Sequence, residues 1–194
     1  MTIPLRIEEG TYHALRITLN GGFIIMSARD GILFGEKMNV NMIKGIKDVS
    51  PFKAKIKARL IHPDGKEEVF EFENTLTELG EAMIADALSD QGVTPVSHMA
   101  VGTGTGQDAA DTTLANELHR EALDSKTQGT GGNDNDVNWI ATFAATHGTG
   151  AITEAGLFND VTAGTMFSVT SFAVINKGAA DILIFSWTLT CGLS

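Results

Sequence analysis

The chain is poor in several things, and each shortage removes a class of protein. It has one cysteine, Cys191, in 194 residues, which excludes an internal disulfide framework and any zinc site built on the cysteines of one chain. Cys191 reads as a small residue closing the last strand. No apolar run approaches the roughly 18 residues that a membrane-spanning helix needs. The first nine residues, Met1-Thr-Ile-Pro-Leu-Arg-Ile-Glu-Glu9, lack the apolar core of a signal peptide, so the expectation is a protein made and kept in the cytoplasm unless something carries it out. Cations are scarce beyond the first third. Residues 73–194 hold 3 Lys+Arg against 15 Asp+Glu, net −12, whereas residues 1–72 hold 11 against 9, net +2. A body of that sign repels nucleic acid, whose binding depends on clustered cations that release counterions. Metal-ligand spacing is also missing: His13, His62, His98, His119 and His147 are scattered, and no Ser–His–Asp arrangement can be nominated. The reading assigns no metal, no cofactor and no catalytic residue.

What is there is an ordinary soluble composition, 43% hydrophobic and 20% charged, with 21 glycines that imply many turns. The length suffices for one sizeable core. Two proline-free runs near the end, residues 167–175 and 182–191, are rich in β-branched and aromatic residues and read as consecutive antiparallel strands. In the second, Leu183, Phe185, Trp187 and Leu189 share one face, and Ile182, Ile184, Ser186, Thr188 and Thr190 the other.

Upstream, Leu15-Arg-Ile-Thr-Leu19 and Gly22-Phe-Ile-Ile-Met26 flank Asn20-Gly21-Gly22, a hairpin-turn sequence because Asn and Gly accept positive φ. Residues 38–45 alternate apolar residues with breakers and show no sustained period. Residues 1–50 therefore read as an extended N-terminal arm with local hairpin structure, or a hairpin subdomain. Its exposed apolar residues, Phe23, Ile24, Ile25 and Phe34 among them, need a partner to cover them. Pro51 marks a boundary.

Strict alternation follows in Phe52-Lys-Ala-Lys-Ile-Lys-Ala-Arg-Leu-Ile61, with Lys53, Lys55, Lys57 and Arg59 on one face. Pro63-Asp-Gly65 turns the chain, and Glu67-Glu-Val-Phe-Glu-Phe72 returns as the partner strand. The cationic stripe is a contact for an acidic partner, or it is matched across the hairpin by Glu67, Glu68, Glu71 or Glu73. Thr75 with Glu78 fits a capping box, opening a helix over about 76–89 whose Leu76, Leu79, Met83, Ile84, Ala87 and Leu88 form one face. Gly80 within it implies a close packing contact.

A short strand over 96–101 runs into Gly102-Thr-Gly-Thr-Gly106. That loop lacks the Gly-Lys-Ser/Thr ending and the glycine spacing of nucleotide-binding loops, so it reads as a tight turn over a sheet edge. Residues 112–120 suggest a helical turn with Leu114 and Leu118 inward. Residues 122–127 and 137–144 look like strands around a polar tip at 128–136. Asp134, Asp136 and Asn138 have the opening spacing of a calcium loop, but Trp139 and Ala145 stand where its glycine and closing glutamate belong.

A series of ordered motifs then carries a resemblance. Asn74-Thr-Leu-Thr-Glu-Leu-Gly80, Met99-Ala-Val-Gly-Thr-Gly-Thr105, Asp111-Thr-Thr-Leu-Ala-Asn-Glu-Leu118 followed by Arg120, Trp139-Ile-Ala-Thr-Phe143, Ile152-Thr-Glu-Ala-Gly-Leu-Phe-Asn159 and Phe185-Ser-Trp-Thr-Leu-Thr190 together resemble a group of tailed-bacteriophage virion proteins, variously structural, decoration or tail-fibre-like. The likeness spans about residues 52–191. It implies a non-enzymatic virion protein. The fold expected is mainly β: an antiparallel, jelly-roll-like β-sandwich over 51–194 with one amphipathic helix, preceded by the arm. The leading expectation of function is a capsid decoration or cement protein on the head surface. It would be a homo-oligomer binding the major capsid protein or other virion proteins through Phe23, Ile24, Ile25, Phe34, Lys53, Lys55, Lys57 and Arg59, with neither nucleic acid nor membrane as a partner. The alternatives are a collar, baseplate or tail-fibre attachment protein, or a host-glycan-binding module using the 128–136 tip and Trp139.

Overall fold

The computed structural model describes residues 52–192, together with the backbone of four strands before them. Residue contacts divide the chain into two compact units, Met1–Val49 and Ser50–Ser194. The first unit contains β1 (Arg6–Glu9), β2 (His13–Leu19), β3 (Gly22–Ser27) and β4 (Gly31–Phe34). They form an antiparallel sheet in the order β1-β2-β3-β4. The hairpin expected across Asn20-Gly21-Gly22 is the β2–β3 pair, with Leu19 opposite Gly22, and one strand is added on each side. The register aligns Ile7, Leu15, Met26 and Ile32 in one row of the ladder, and Ile17, Ile24 and Phe34 in another. The stretch 38–45 and the boundary at Pro51 lie outside the described residues.

The second unit is a sandwich of two five-stranded antiparallel sheets. Its elements are β5 (Phe52–Ile61), β6 (Glu67–Glu73), β7 (Thr75–Leu76), α1 (Glu78–Leu88), β8 (His98–Gly102), β9 (Glu117–Ala122), β10 (Ser125–Gln128), β11 (Asp136–Phe143), β12 (Gly150–Phe158), β13 (Met166–Lys177) and β14 (Ile182–Cys191). One sheet has the order β10-β11-β14-β5-β6 and the other β7-β13-β12-β8-β9. The first sheet follows the alternation of its sequence. Ala54, Ile56, Ala58 and Leu60 on β5, Trp139, Ala141 and Phe143 on β11, and Leu183, Phe185, Trp187 and Leu189 on β14 all point into the core.

Sheet two departs from alternation because it is covered on both faces. Its inner face gives Met99, Val101, Ile152, Leu157, Phe167 and Ile175 to the main core. Its outer face holds a second cluster, Ala100, Phe158, Met166 and Val169, closed by Leu114 from the 103–116 loop. Hence Ala155-Gly-Leu-Phe158 and Met166-Phe-Ser-Val-Thr170 are buried at every position, as strands covered on two sides must be.

Four sequence readings are corrected. The runs at 167–175 and 182–191 are consecutive strands but do not pair: β13 belongs to sheet two and β14 to sheet one, so the turn between them crosses the sandwich. The helix begins later than Thr75 suggests, because Thr75 and Leu76 pair with Val169 and Ser168 as β7, which leaves Thr77 as N-cap. Its apolar face is narrower than expected. Met83 and Gly80 are buried, while Leu88 is 86% exposed. Gly80 does make the close contact foreseen, since a Cβ there would strike the Phe167 carbonyl. Residues 112–120 form no helical turn. Leu114 is buried in a loop, and from Glu117 the chain pairs with β8 as β9, leaving Leu118 exposed. Among the described residues no helix is long and apolar enough to cross a membrane.

Candidate functional site

The motifs of the resemblance converge on a buried carboxyl group. Glu154 lies on β12 with no exposed surface. Its Oε1 accepts from the backbone N–H of Gly104 and of Asn116, both at 2.8 Å. Its Oε2 accepts from the Ala115 N–H at 3.0 Å and the Gln107 Nε2 at 2.6 Å. Four donors thus meet two oxygens, the condition under which a buried polar group is tolerated. The Gly-rich loop bends around this group rather than over a sheet edge. A Cβ on Gly102 or Gly104 would collide with the Glu154 carboxyl oxygens. A loop that superficially suggests phosphate binding therefore has its Gly104 amide occupied by an acid from its own chain.

Neighbouring motif residues act as fasteners. Thr77 Oγ1 accepts from the Gly80 N–H at 2.9 Å and donates to the Met166 carbonyl at 2.5 Å, which caps α1 and ties it to β13 in one step. Arg120 forms a two-pronged ion pair with Glu117, at 3.0 and 2.6 Å. It also donates to the carbonyls of Asp160 and Ala163 and lies 3.6 Å from the Phe158 ring centre. Asp136 and Asn138, weighed as calcium ligands, instead accept from the hydroxyls of Thr190 and Thr188 across the β11–β14 ladder. Trp139 is 5% exposed and packed on Phe167, so it offers no platform for a sugar ring. Cys191 is exposed as a residue, and partial desolvation of its thiol, followed by the nearby Asp136 charge, pushes it up, away from the reactive thiolate.

Among the predicted contact residues, Lys53, Lys55, Lys57 and Arg59 share the outward face of β5. Lys55 stands opposite Glu73 and Lys57 opposite Glu71, and Arg59 makes a bidentate pair with Glu67 at 2.6 and 2.9 Å. A shallow depression on this face is lined by Lys55, Lys57, Glu71, Glu73, Ser186 and Thr188. It carries both signs of charge. Phe23, Ile24 and Ile25 fall on β3 and Phe34 closes β4, with Ile24 opposite Phe34.

One end of the sandwich concentrates polar side chains that the sequence leaves far apart. Two connections cross between the sheets there, 144–149 and 178–181, and they are bonded together through Thr146 N–H to the Ala179 carbonyl at 2.7 Å. Lys177, 2% exposed, donates to the carbonyls of Ala144 at 2.9 Å and Asp181 at 2.8 Å. Burial pushes its ammonium below the usual lysine range, and the Asp181 charge partly restores it. Asp181 accepts from the Gly178 N–H at 2.8 Å and faces His62 Nδ1 at 2.9 Å. The amide of Gly178 foremost, then His62, hold the Asp181 carboxyl below its usual range, and Asp181 in turn raises His62.

At the same end His119, Glu121 and His147 come together, which corrects the reading of the histidines as scattered. His119 Nε2 lies 2.9 Å from Glu121 Oε1, and His147 Nδ1 approaches the same oxygen. His119 and Glu121 are two apart on β9, so they share a face; His147 arrives on the 144–149 crossover. The sequence reading of 112–120 as a helical turn hid this pair, and no local signal linked it to His147.

A family model described as phage tail-collar fibre protein, N-terminal, matches residues 69–185, more than half of the chain. The chain belongs to this family. The tail-collar fibre match makes it a tailed-phage virion structural protein of the tail-fibre-like kind, as the ordered motifs imply. Comparison with curated proteins and with solved structures finds no match. The matched span takes in the Glu154 centre, Arg120 and the His119–Glu121–His147 group. It leaves out the four-stranded sheet and the β5 stripe. It gives no support to a head-surface decoration or cement role.

Proposed function

We propose that this chain is a structural component of the phage tail, forming part of the attachment of a collar or tail fibre to the rest of the particle, and that it performs no catalysis. The observation that carries the reading is the tail-collar fibre match across the sandwich, from β6 into β14. The chemistry of the body supports it. The Glu154 carboxyl is fully committed to the fold, and so is the Lys177 ammonium. Such groups hold loops in place and are not poised toward a substrate. In this reading other tail proteins are the partners, and the four-stranded sheet, with its apolar ladder rows and Phe23, Ile24, Ile25 and Phe34, supplies the contact. Strand addition along an open sheet edge is one way to make it.

The test is to grow particles in which this protein is not made. The expected outcome is full-length, DNA-filled heads of normal heat resistance on tails that lack fibres or collar structures. Heads that lose DNA on mild heating while the tails stay complete would overturn the reading and restore the decoration role.

A further inference from the structure

We propose that His119, Glu121 and His147 form a binding site for a single divalent transition-metal ion, zinc in the first place, which fastens the edge strand β9 to the crossover entering β12. The ligand atoms of the three side chains all lie within 4.8 Å of one another, so a small rotamer adjustment brings them to the about 2.0–2.2 Å from a central ion that zinc takes with nitrogen and oxygen. Both imidazoles converge on the same carboxyl oxygen of Glu121. The three ligand atoms are therefore mutual neighbours across two elements, and an ion would sit among them in place of the hydrogen-bonded protons. Two imidazole nitrogens and one carboxylate oxygen are a set suited to zinc and its neighbours and poorly suited to magnesium or calcium, which take oxygen shells.

The site is also rigidly presented. His119 and Glu121 sit on a strand paired with β8, and the His119 ring meets Phe143 edge-on at 6.3 Å. The crossover that carries His147 is fixed by backbone bonds independent of that side chain: Thr146 N–H to Ala179, and His147 N–H to the Ala144 carbonyl at 3.1 Å. Thr146 and Gly148 both have positive φ, 71° and 60°, giving the tight bend that aims residue 147 back at β9. The side chains of His119, Glu121 and His147 are 34%, 24% and 47% exposed. An ion can therefore enter from solvent, and a fourth position is open to water or to a ligand from a neighbouring protein.

The test uses the full chain without a histidine tag, stripped with a chelator and titrated with zinc chloride by calorimetry, with cobalt absorption as a second readout. One zinc per chain is expected at micromolar or tighter affinity, with the thermal midpoint raised by roughly 5 °C at saturation. Cobalt should give the intense visible bands of a four-coordinate site. His147→Ala, at a half-exposed position, should keep the fold and weaken zinc binding at least tenfold; His119→Ala and Glu121→Gln should each weaken it, and magnesium should do nothing. Binding that appears only at millimolar zinc, or that is unchanged in His147→Ala or in the His119→Ala/His147→Ala pair, would overturn the proposal and leave three hydrogen-bonded side chains.

Discussion

Glu154 and Glu121 lie in the same sheet, and their surroundings differ in a way that separates fold from function. Glu154 has no exposed surface, and every donor that reaches it is an N–H of the backbone or of Gln107. Glu121 is a quarter exposed and faces two imidazoles whose nitrogens can act as donors or as ligands. Between them stands Asp181, nearly buried, with one amide and one imidazole. A carboxyl group surrounded by amides can only hold structure, because amides do not change state near neutral pH. One surrounded by imidazoles can respond to protons or to metals.

The contrast can be broken at its strongest point first. Glu154→Ala leaves four donors without acceptors in a dry site and should cost about 3–5 kcal/mol, read as a lowered urea midpoint. A loss below 1 kcal/mol would mean that the loops at 103–116 re-form without it. Gly104→Ala, which pushes a methyl group against the same carboxyl and Ala115, should cost about 1–3 kcal/mol in the same assay. Thr77→Ala removes the helix cap and its bond to β13 and should cost about 1 kcal/mol.

Asp181 and His62 are predicted to give stability a pH signature. Because His62 is raised by Asp181, its contribution is complete below the ordinary histidine value of about 6.5 and is lost as pH rises through the folded-state value. Because Asp181 is lowered, its contribution is present above the ordinary carboxylate range and is lost as pH falls through its depressed value. The thermal midpoint of the native protein should therefore exceed that of His62→Gln most between about pH 4.5 and 6, with the gap closing on either side. A gap that is constant from pH 4 to 9 would contradict the pairing. Smallest of all, Glu121→Gln without metal should change stability by less than about 0.5 kcal/mol.

Much of the sandwich was legible. Strict alternation in β5 and β14 placed their inward residues, Pro63-Asp-Gly65 placed a turn, and Gly80 announced its close contact, because each of these depends on neighbours in sequence. What was illegible depends on partners far along the chain. The 103–116 loop takes its shape from Glu154, some forty residues on. Thr75 is drawn into a two-residue bridge with β13 and so cannot cap the helix. Residues 112–120 carry a helical-looking pattern, which pairing with β8 overrides from Glu117 on. His147 reaches Glu121 only because two crossovers are stitched together by Thr146 and Ala179.

A structural role in the tail places the chain at a definite position on the intact particle, where it can be located directly. The β10–β11 tip, whose residues 130–135 are exposed, provides an epitope outside the core of the sandwich. Gold-labelled antibody against it should collect at the collar or at the base of the tail fibres. Label spread evenly over the head would contradict the account.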